Sequence, residues 1–476
     1  MQYSVVKSSK IDLGDRIDAE YFEPSYLENE SKLRRVNAEP LFKYVKLASS
    51  AFYPSATGYY KVGEIPFIRC VDCIDYPAIT ELQKDKFERL PHDFINENKT
   101  IKKIKEGDIV ITKVGSPCFA SIVYGLDEVA LSRTVLGAYK IKGIDPFYLI
   151  VFLRSKYGFE QLIRERELTI QYQLTLERVG RILTYVPSEN FQKIIRQLFI
   201  KSQNLYINEV EQYQKAEQLL LSELGLVDWK PKHTLAFVKN FSDTQKAERI
   251  DAEYFQPKYE EIIEAVKSYK GGFDELGNLV KLKKSIEPGS DAYQENGIPF
   301  VRVSNLSKFE LSTNNQQFIT EELYEELKSH HPKKGEILLS KDATPGIAYY
   351  LNEDPQKMIV SGGILRLKMD SKQILPEYLT LVLNSVIVQK QIERDAGGSI
   401  INHWRPDQVK ATLIPILKGD KQKEIKELIE KSFNDRKLSK SLLEIAKQGV
   451  EMAIEKDESE AEKWIENKLT ELGIKI

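Results

Sequence analysis

Three groupings in this chain carry residue types capable of chemistry. Asp145-Pro146-Phe147-Tyr148 approximates the acid-Pro-Pro-aromatic run of adenine methyl-transfer sites. The second proline is absent, and the matching run later in the chain, Leu375-Pro376-Glu377-Tyr378, has lost the acid. No glycine-rich cofactor loop precedes either run, so each reads as a proline near a helix start. Cys70-x-x-Cys73, with His92 and Cys118, supplies four groups of zinc-binding type. Their counterparts in the second half are Val303, Leu306 and Gly346, which favours buried free thiols over a metal. Pro406-Asp407 followed by Lys410 lacks the paired acids that hold a cation in a metal-dependent nuclease. Neither GxGxxG nor GxxxxGK[ST] occurs. No catalytic residue, metal or cofactor is expected.

The 476 residues are long enough for two to four domains. The chain is 42% hydrophobic and 29% charged, which suits ordinary globular cores. Its net charge of −2 argues against a simple electrostatic nucleic-acid binder, although phosphate contact depends on where Lys and Arg cluster. Three cysteines in so long a chain suggest a reducing compartment. The opening MQYSVVKSSKIDLGD lacks a signal-peptide pattern, and no apolar run reaches membrane-spanning length, so a cytoplasmic location is expected.

The dominant feature is a duplication. RIDAEYFEPSY at 16–26 returns as RIDAEYFQPKY at 249–259, with nine of eleven positions identical. Ile65-Pro66-Phe67-Ile68-Arg69 returns as Ile298-Pro299-Phe300-Val301-Arg302. GDIVITK at 107–113 returns as GEILLSK at 335–341, and Pro146-Phe147-Tyr148-Leu149 as Pro376-Glu377-Tyr378-Leu379. Tyr185-Val186-Pro187 is matched to Leu413-Ile414-Pro415, and Gln192, Ile195, Leu198, Lys201 and Ser202 to Gln422, Ile425, Leu428, Lys431 and Ser432. Copies this long read as a duplicated domain rather than a solenoid. Residues 70–100 and 303–330 share almost nothing, which suggests one scaffold carrying two different surfaces.

Strands are expected at 59–73, 107–114, 120–124 and 133–141, and at 298–304, 335–341, 347–351 and 359–368. Helices are expected over 145–167 and 375–394. From Phe191 to Leu224 neither Pro nor Gly interrupts an apolar stripe, and Gly225 supplies a stop; a similar stripe runs from Gln422 to Ile454. Two such rods can hide their stripes by pairing, and a rod folded back on its own domain is the plainer alternative. Ser202 and Ser432 occupy equivalent seam positions, where they either set register or are merely tolerated at a helix edge.

This order of segments resembles specificity subunits of type I restriction-modification systems. The resemblance rests on RIDAEYF…P, the IPFIR/IPFVR strand, the GDIVITK/GEILLSK strand and the YVPSENFQKII junction, and it spans nearly the whole chain. It implies an α+β protein with two tandem mixed α/β target recognition domains. Each is followed by a long helix, and the helices pair as an antiparallel coiled coil with pseudo-two-fold symmetry. The segments are then 1–190 for the first recognition domain, 191–225 for its helix, 226–417 for the second domain, 418–455 for its helix, and 456–476 for a charged helical tail. On the same resemblance, each domain is expected to read one half of a split, asymmetric site in double-stranded DNA. The resemblance likewise implies that the helices set the spacing and dock two methyltransferase subunits, which supply S-adenosylmethionine, and that restriction subunits join for cleavage.

Base reading requires Arg on guanine, or Asn or Gln on adenine, or similar pairs. Candidates lie just after shared strands, where the copies differ: Arg69, Lys113, Ser116 and Arg133 in the first, and Arg302, Ser304, Asn305, Lys341 and Thr344 in the second. A solvated strand end is the plain reading of Lys113 and Lys341, and a shared ion pair that of Arg69 and Arg302. His403-Trp404-Arg405 is either a further contact, through His403 and Arg405, or a packed corner. The recurring segment cannot distinguish half-sites. Arg16, Asp18, Tyr21 and Phe22, with Arg249, Asp251, Tyr254 and Phe255, are therefore assigned to the scaffold or to a partner interface. The competing readings are a duplicated protein–protein adaptor and a fused methyltransferase–nuclease.

Overall fold

A computed structural model describes residues 16–60, 62–83, 86–167, 172–396 and 402–475; the opening stretch through Asp15 lies outside it. The protein is mixed α/β. It divides into two compact units, Met1–Asn208 with Asp435–Ile476, and Glu209–Asn434.

In the first unit, Ile109–Thr112 is buried along its whole length, as expected of a β-branched run inside a covered sheet. It lies in a five-stranded sheet ordered Lys46–Ser49, Val135–Tyr139, Ile109–Thr112, Ala120–Val123, Ala78–Ile79. A second sheet runs Glu88–Leu90, Ile65–Ile68, Glu128–Leu131, Lys103–Lys105. The second unit keeps the same inner order. One sheet is Val280–Lys284, Ile364–Met369, Glu336–Ser340, Ala348–Tyr350, and the other Gln317–Ile319, Ile298–Val301, Ile359–Val360. Gly107 and Gly335, at φ +80° and +87°, turn the chain into the equivalent strands Ile109–Thr112 and Glu336–Ser340.

Several expected elements are shorter. Only Ile65–Ile68 of 59–73 is a strand, because 3-10 turns occupy Thr57–Tyr59 and Cys70–Asp72. The Arg69 N–H donates to the Asp72 carboxylate at 2.8 Å, and the Arg302 N–H to Asn305 Oδ1 at 3.1 Å, so the same local cap ends both strands. The expected strand 359–368 is two, parted at residues 361–363. The expected helices break at equivalent serines, giving Pro146–Arg154 and Lys156–Arg164, and Pro376–Asn384 and Val386–Asp395. Ser155 and Ser385 adopt extended backbone and donate to the Phe152 and Val382 carbonyls at 2.7 Å, which diverts those turns from helix.

The junction match also shifts by two residues. Tyr148 donates to the Tyr185 carbonyl and Tyr378 to that of Pro415, both at 2.9 Å. Gln161 brackets the backbone of Leu183 as Gln391 brackets Leu413. Leu183 and Tyr185 are thus the counterparts of Leu413 and Pro415; the paired prolines were a misleading landmark.

The long helices are Glu189–Glu223 and Gly419–Glu455, 35 and 37 residues, or roughly 50–55 Å each. In the first unit Ile195, Leu198 and Phe199 share a core with Leu442, Ala446 and Val450. In the second, Tyr213, Ala216 and Leu220 share one with Ile425 and Ile429. The charged tail forms a helix, Glu458–Glu471, whose Ala461, Ile465 and Leu469 are buried at four-residue spacing in the first unit's core. Among the described residues, no helix is long and apolar enough to cross a membrane.

Candidate nucleic-acid interface

In the first unit, three loops leave the two sheets and meet. Ser132 N–H donates to the Ile68 carbonyl at 2.9 Å, and Cys70 N–H to Thr134 Oγ1 at 3.1 Å. Lys113 N–H donates to the Thr134 carbonyl at 2.9 Å, and Cys70 Sγ lies 3.3 Å from the Ser116 carbonyl. Arg69, Lys113, Ser116 and Arg133 are therefore brought to one edge. Ser116 and Arg133 are exposed. Lys113 is partly covered, bonds Ser49 Oγ at 3.1 Å, and burial pulls its ammonium below the usual lysine range. Arg69 pairs with Asp72 at 3.5 Å and Glu88 at 3.3 Å, which is the ion-pair alternative raised for it.

The second unit builds the same edge from different residues. Ser361 N–H donates to the Val301 carbonyl at 2.8 Å, and Lys341 N–H to that of Gly363 at 2.9 Å. The hairpin loops are pinned alike. Thr112 Oγ1 donates to the Ser116 carbonyl and accepts from Phe119 N–H, as Ser340 Oγ does with Thr344 and Ile347. Thr344 and Ser304 are exposed. Lys341 pairs with Asp342, whose other oxygen meets His403 Nδ1 at 2.8 Å. Burial works to raise the Asp342 carboxyl, but bonds from Lys341 and His403 outweigh it and hold it below the usual range. Arg405 is exposed and 3.4 Å from Asp407.

One candidate needs correction. Asn305 is fully buried, its amide donating to the carbonyls of Ser312 and Asn314 at 3.1 and 2.9 Å, so it closes a loop and presents nothing to a base edge. Arg302 donates to the Asn315 carbonyl at 2.8 Å and braces the same loop. Within the aromatic–basic run, Trp404 is a packed corner, while His403 and Arg405 stay at the surface.

The recurring segment has the same geometry twice. The Arg16 guanidinium clasps Asp18, and Arg249 clasps Asp251 at 2.7 and 3.0 Å. The clasped aspartates accept from Tyr21 N–H at 3.1 Å and Tyr254 N–H at 3.0 Å. Arg16 donates to the Arg164 carbonyl at 3.3 Å and Arg249 to that of Arg394 at 3.4 Å, tying each segment to the end of a helix. Arg164 and Arg394 lie over the Tyr21 and Tyr254 rings, against which Phe22 and Phe255 pack edge-on. Between the clasped residues, Ile17 and Ile250 are 66% and 88% exposed, leaving an apolar group outward in both copies.

Asp145 caps its helix through Phe147 and Tyr148 N–H groups and pairs with Arg196 at 3.0 Å. Cys70, Cys73 and Cys118 are buried free thiols, raised by burial, whereas His92 is exposed. Among the described residues no cluster is arranged to hold a metal. Asp407 is exposed in the first turn of Pro406–Lys410.

Sequence reasoning missed the groups that hold the candidates: Ser49, Phe52 and Tyr53 in the first unit, and Asp342 in the second. The unlike runs SSAFYP and SIEP, after matched strands, are the signal that marks this position.

Residues 272–447 match the family model of the type I restriction modification DNA specificity domain. No curated protein sequence matches the chain. Among solved structures, the type I restriction-modification S subunit from M. genitalium is 11% identical, with 92% of this chain and 96% of that one covered and a TM-score of 0.40. The HsdS subunit from Thermoanaerobacter tengcongensis is 15% identical, covering 74% and 82%, with a TM-score of 0.27.

Proposed function

We propose that this chain, whose residues 272–447 are a type I restriction modification DNA specificity domain, is the sequence-recognition subunit of a restriction-modification complex, with catalysis left to partner subunits. Each unit reads one half of a split, asymmetric site in duplex DNA. The two long helices form an antiparallel spacer that fixes the gap between the halves. The Arg–Asp clasps, with Ile17 and Ile250 turned outward, offer equivalent docking points to two methyltransferase subunits that bring S-adenosylmethionine; restriction subunits add cleavage.

One observation carries this reading: identical backbone bonds join equivalent loops in both units, while the side chains those loops expose differ. Lys113 meets a serine and Lys341 an aspartate. Arg133 stands where the second unit has Gly362. A shared frame with unlike tips is what two half-sites of different sequence require.

The test is to co-express the chain with its methyltransferase subunit and sequence the methylated adenines. The expected result is a two-part motif with a fixed gap. A complex that assembles but neither binds duplex DNA at physiological salt nor directs methylation would establish the adaptor reading instead.

A further inference from the structure

Arg133 differs from the other basic candidates in how it is held. It is exposed, and among the described residues no carboxylate lies within ion-pair reach, whereas Arg69 is paired twice. Its guanidinium carbon is 5.2 Å from the Tyr53 ring centre and 5.9 Å from that of Phe52. The Tyr53 hydroxyl accepts the Arg133 N–H at 3.4 Å. Phe52 is itself 75% exposed. The turn beneath is rigid: Ser132 Oγ and Thr134 Oγ1 are 2.7 Å apart, and both flanking residues are bonded to neighbouring loops. An arginine resting on aromatic faces keeps its planar fork of donors and loses less freedom on binding than a freely rotating one.

The equivalent turn of the second unit carries no arginine. That turn is Ser361-Gly362-Gly363, and a Cβ on Gly362 would lie 3.6 Å from Glu287 Cβ. Ser50 Oγ donates to the Leu131 carbonyl as Ser285 Oγ does to that of Val360, so Phe52 and Glu287 follow equivalent anchors by the same two steps. Where the first unit has arginine on an aromatic ring, the equivalent positions of the second unit thus hold glycine and a carboxylate.

We propose that Arg133, stacked on Phe52 and Tyr53, reads a guanine through the O6 and N7 acceptors of the major groove, and that the half-site of the second unit lacks this contact. The proposal rests on the reading of the chain as a DNA-recognition subunit. A free, preoriented fork matches the two acceptors of guanine, and the absence of an internal acid leaves the fork available.

The experiment uses the complete complex with methyltransferase subunits and duplexes bearing its own methylation motif. Each guanine is replaced in turn by 7-deazaguanine, which removes N7 and keeps base pairing. The wild-type complex is expected to lose roughly 5- to 150-fold in affinity at one guanine of one half-site. Arg133→Ala is expected to bind the natural duplex less tightly by a similar factor and to become insensitive to that replacement. Phe52→Ala is expected to show a smaller change at the same base. Arg133→Ala that weakens all sequences equally reveals a phosphate contact and overturns base reading; so does an unchanged motif, or a half-site without guanine. An unaffected Phe52→Ala removes stacking from the account. A wild-type complex that binds no DNA fails at the premise, a result separable from all of these.

Discussion

Ser202 and Ser439 exchange hydrogen bonds across two helix segments of the first unit. Ser202 Oγ donates to the Ser439 carbonyl and Ser439 Oγ to the Ser202 carbonyl, each at 2.8 Å. Both side chains are buried. In the second unit Ser432, the counterpart of Ser202, donates to the Glu209 carbonyl at 3.0 Å. The serines therefore mark register in each unit, where an apolar seam alone would tolerate sliding. Ser202→Ala should lower stability by about 0.5–1.5 kcal/mol through the lost bond. Ser202→Leu should cost about 1–3 kcal/mol by overpacking. Urea denaturation of the chain measures both, and equal stability of the two variants would deny the close approach.

The frame was legible because it is written twice. Gln192 and Gln422, matched by spacing alone, accept from Asp145 and Leu375 N–H at 2.8 and 2.9 Å and perform the same splice. The break at Ser155 was not legible, since apolar residues at helical spacing continue on both sides of it. Asn305 was misjudged because a one-dimensional reading cannot tell an amide facing solvent from one facing its own loop. In the divergent blocks, one relationship emerges only in three dimensions. Tyr76 lies 6.0 Å from Tyr206 in the first unit, and Phe309 lies 5.0 Å from Tyr213 in the second. An aromatic at the same repeat position thus packs each variable block on helix Glu189–Glu223, where sequence comparison sees no likeness.

Lys113 and Lys341 sit at the same point of equivalent hairpins with unlike neighbours, so their loss should be felt separately. Lys113→Ala is expected to alter methylation at one half-site and Lys341→Ala at the other, with the gap unchanged. Because the two sit in different compact units, their effects on binding should add within about 0.5 kcal/mol. If either lysine contacts phosphate only, the motif stays intact and the slope of log affinity against log salt falls by about 0.9. Titration of duplexes carrying either altered half, at several salt concentrations, separates the outcomes.

The Arg–Asp clasps predict a defined acid response. The hydrogen bond from Arg16 holds Asp18 below the ordinary carboxylate range, and Arg249 does the same to Asp251. Stability from a depressed carboxylate is present above its unfolded value of about 3.9 and is lost as pH falls through the lower folded value. These clasps should therefore be indifferent to pH between 5 and 8 on the order of a whole experiment, and weaken only below about pH 4. Both carboxylates are partly exposed, so Asp251→Asn should cost less than about 1 kcal/mol. Ile17→Asp and Ile250→Asp should leave unfolding unchanged yet reduce recruitment of methyltransferase subunits, read by gel filtration of the mixed complex. Undiminished assembly by the double variant would place docking elsewhere.

The last helix closes the first unit rather than trailing from it. Glu458 accepts from Tyr185 hydroxyl at 3.0 Å and from Ser188 N–H at 3.1 Å, covering the start of Glu189–Glu223. Behind it Ile465 and Leu469 are buried against the core that holds Ile195 and Val450. Removing residues 457–476 uncovers that core, at roughly 1.5–3 kcal/mol for each of the two large side chains. The loss should be confined to the first unit, because the helix has its buried contacts there. Hydrogen exchange of the truncated chain is expected to rise across the strands Ile109–Thr112 and Ala120–Val123 while Glu336–Ser340 stays protected. Glu458→Gln keeps the shape and weakens only the charged bonds, so it should show a small part of the same pattern. Uniform loss of protection in both units would mean that they unfold as one.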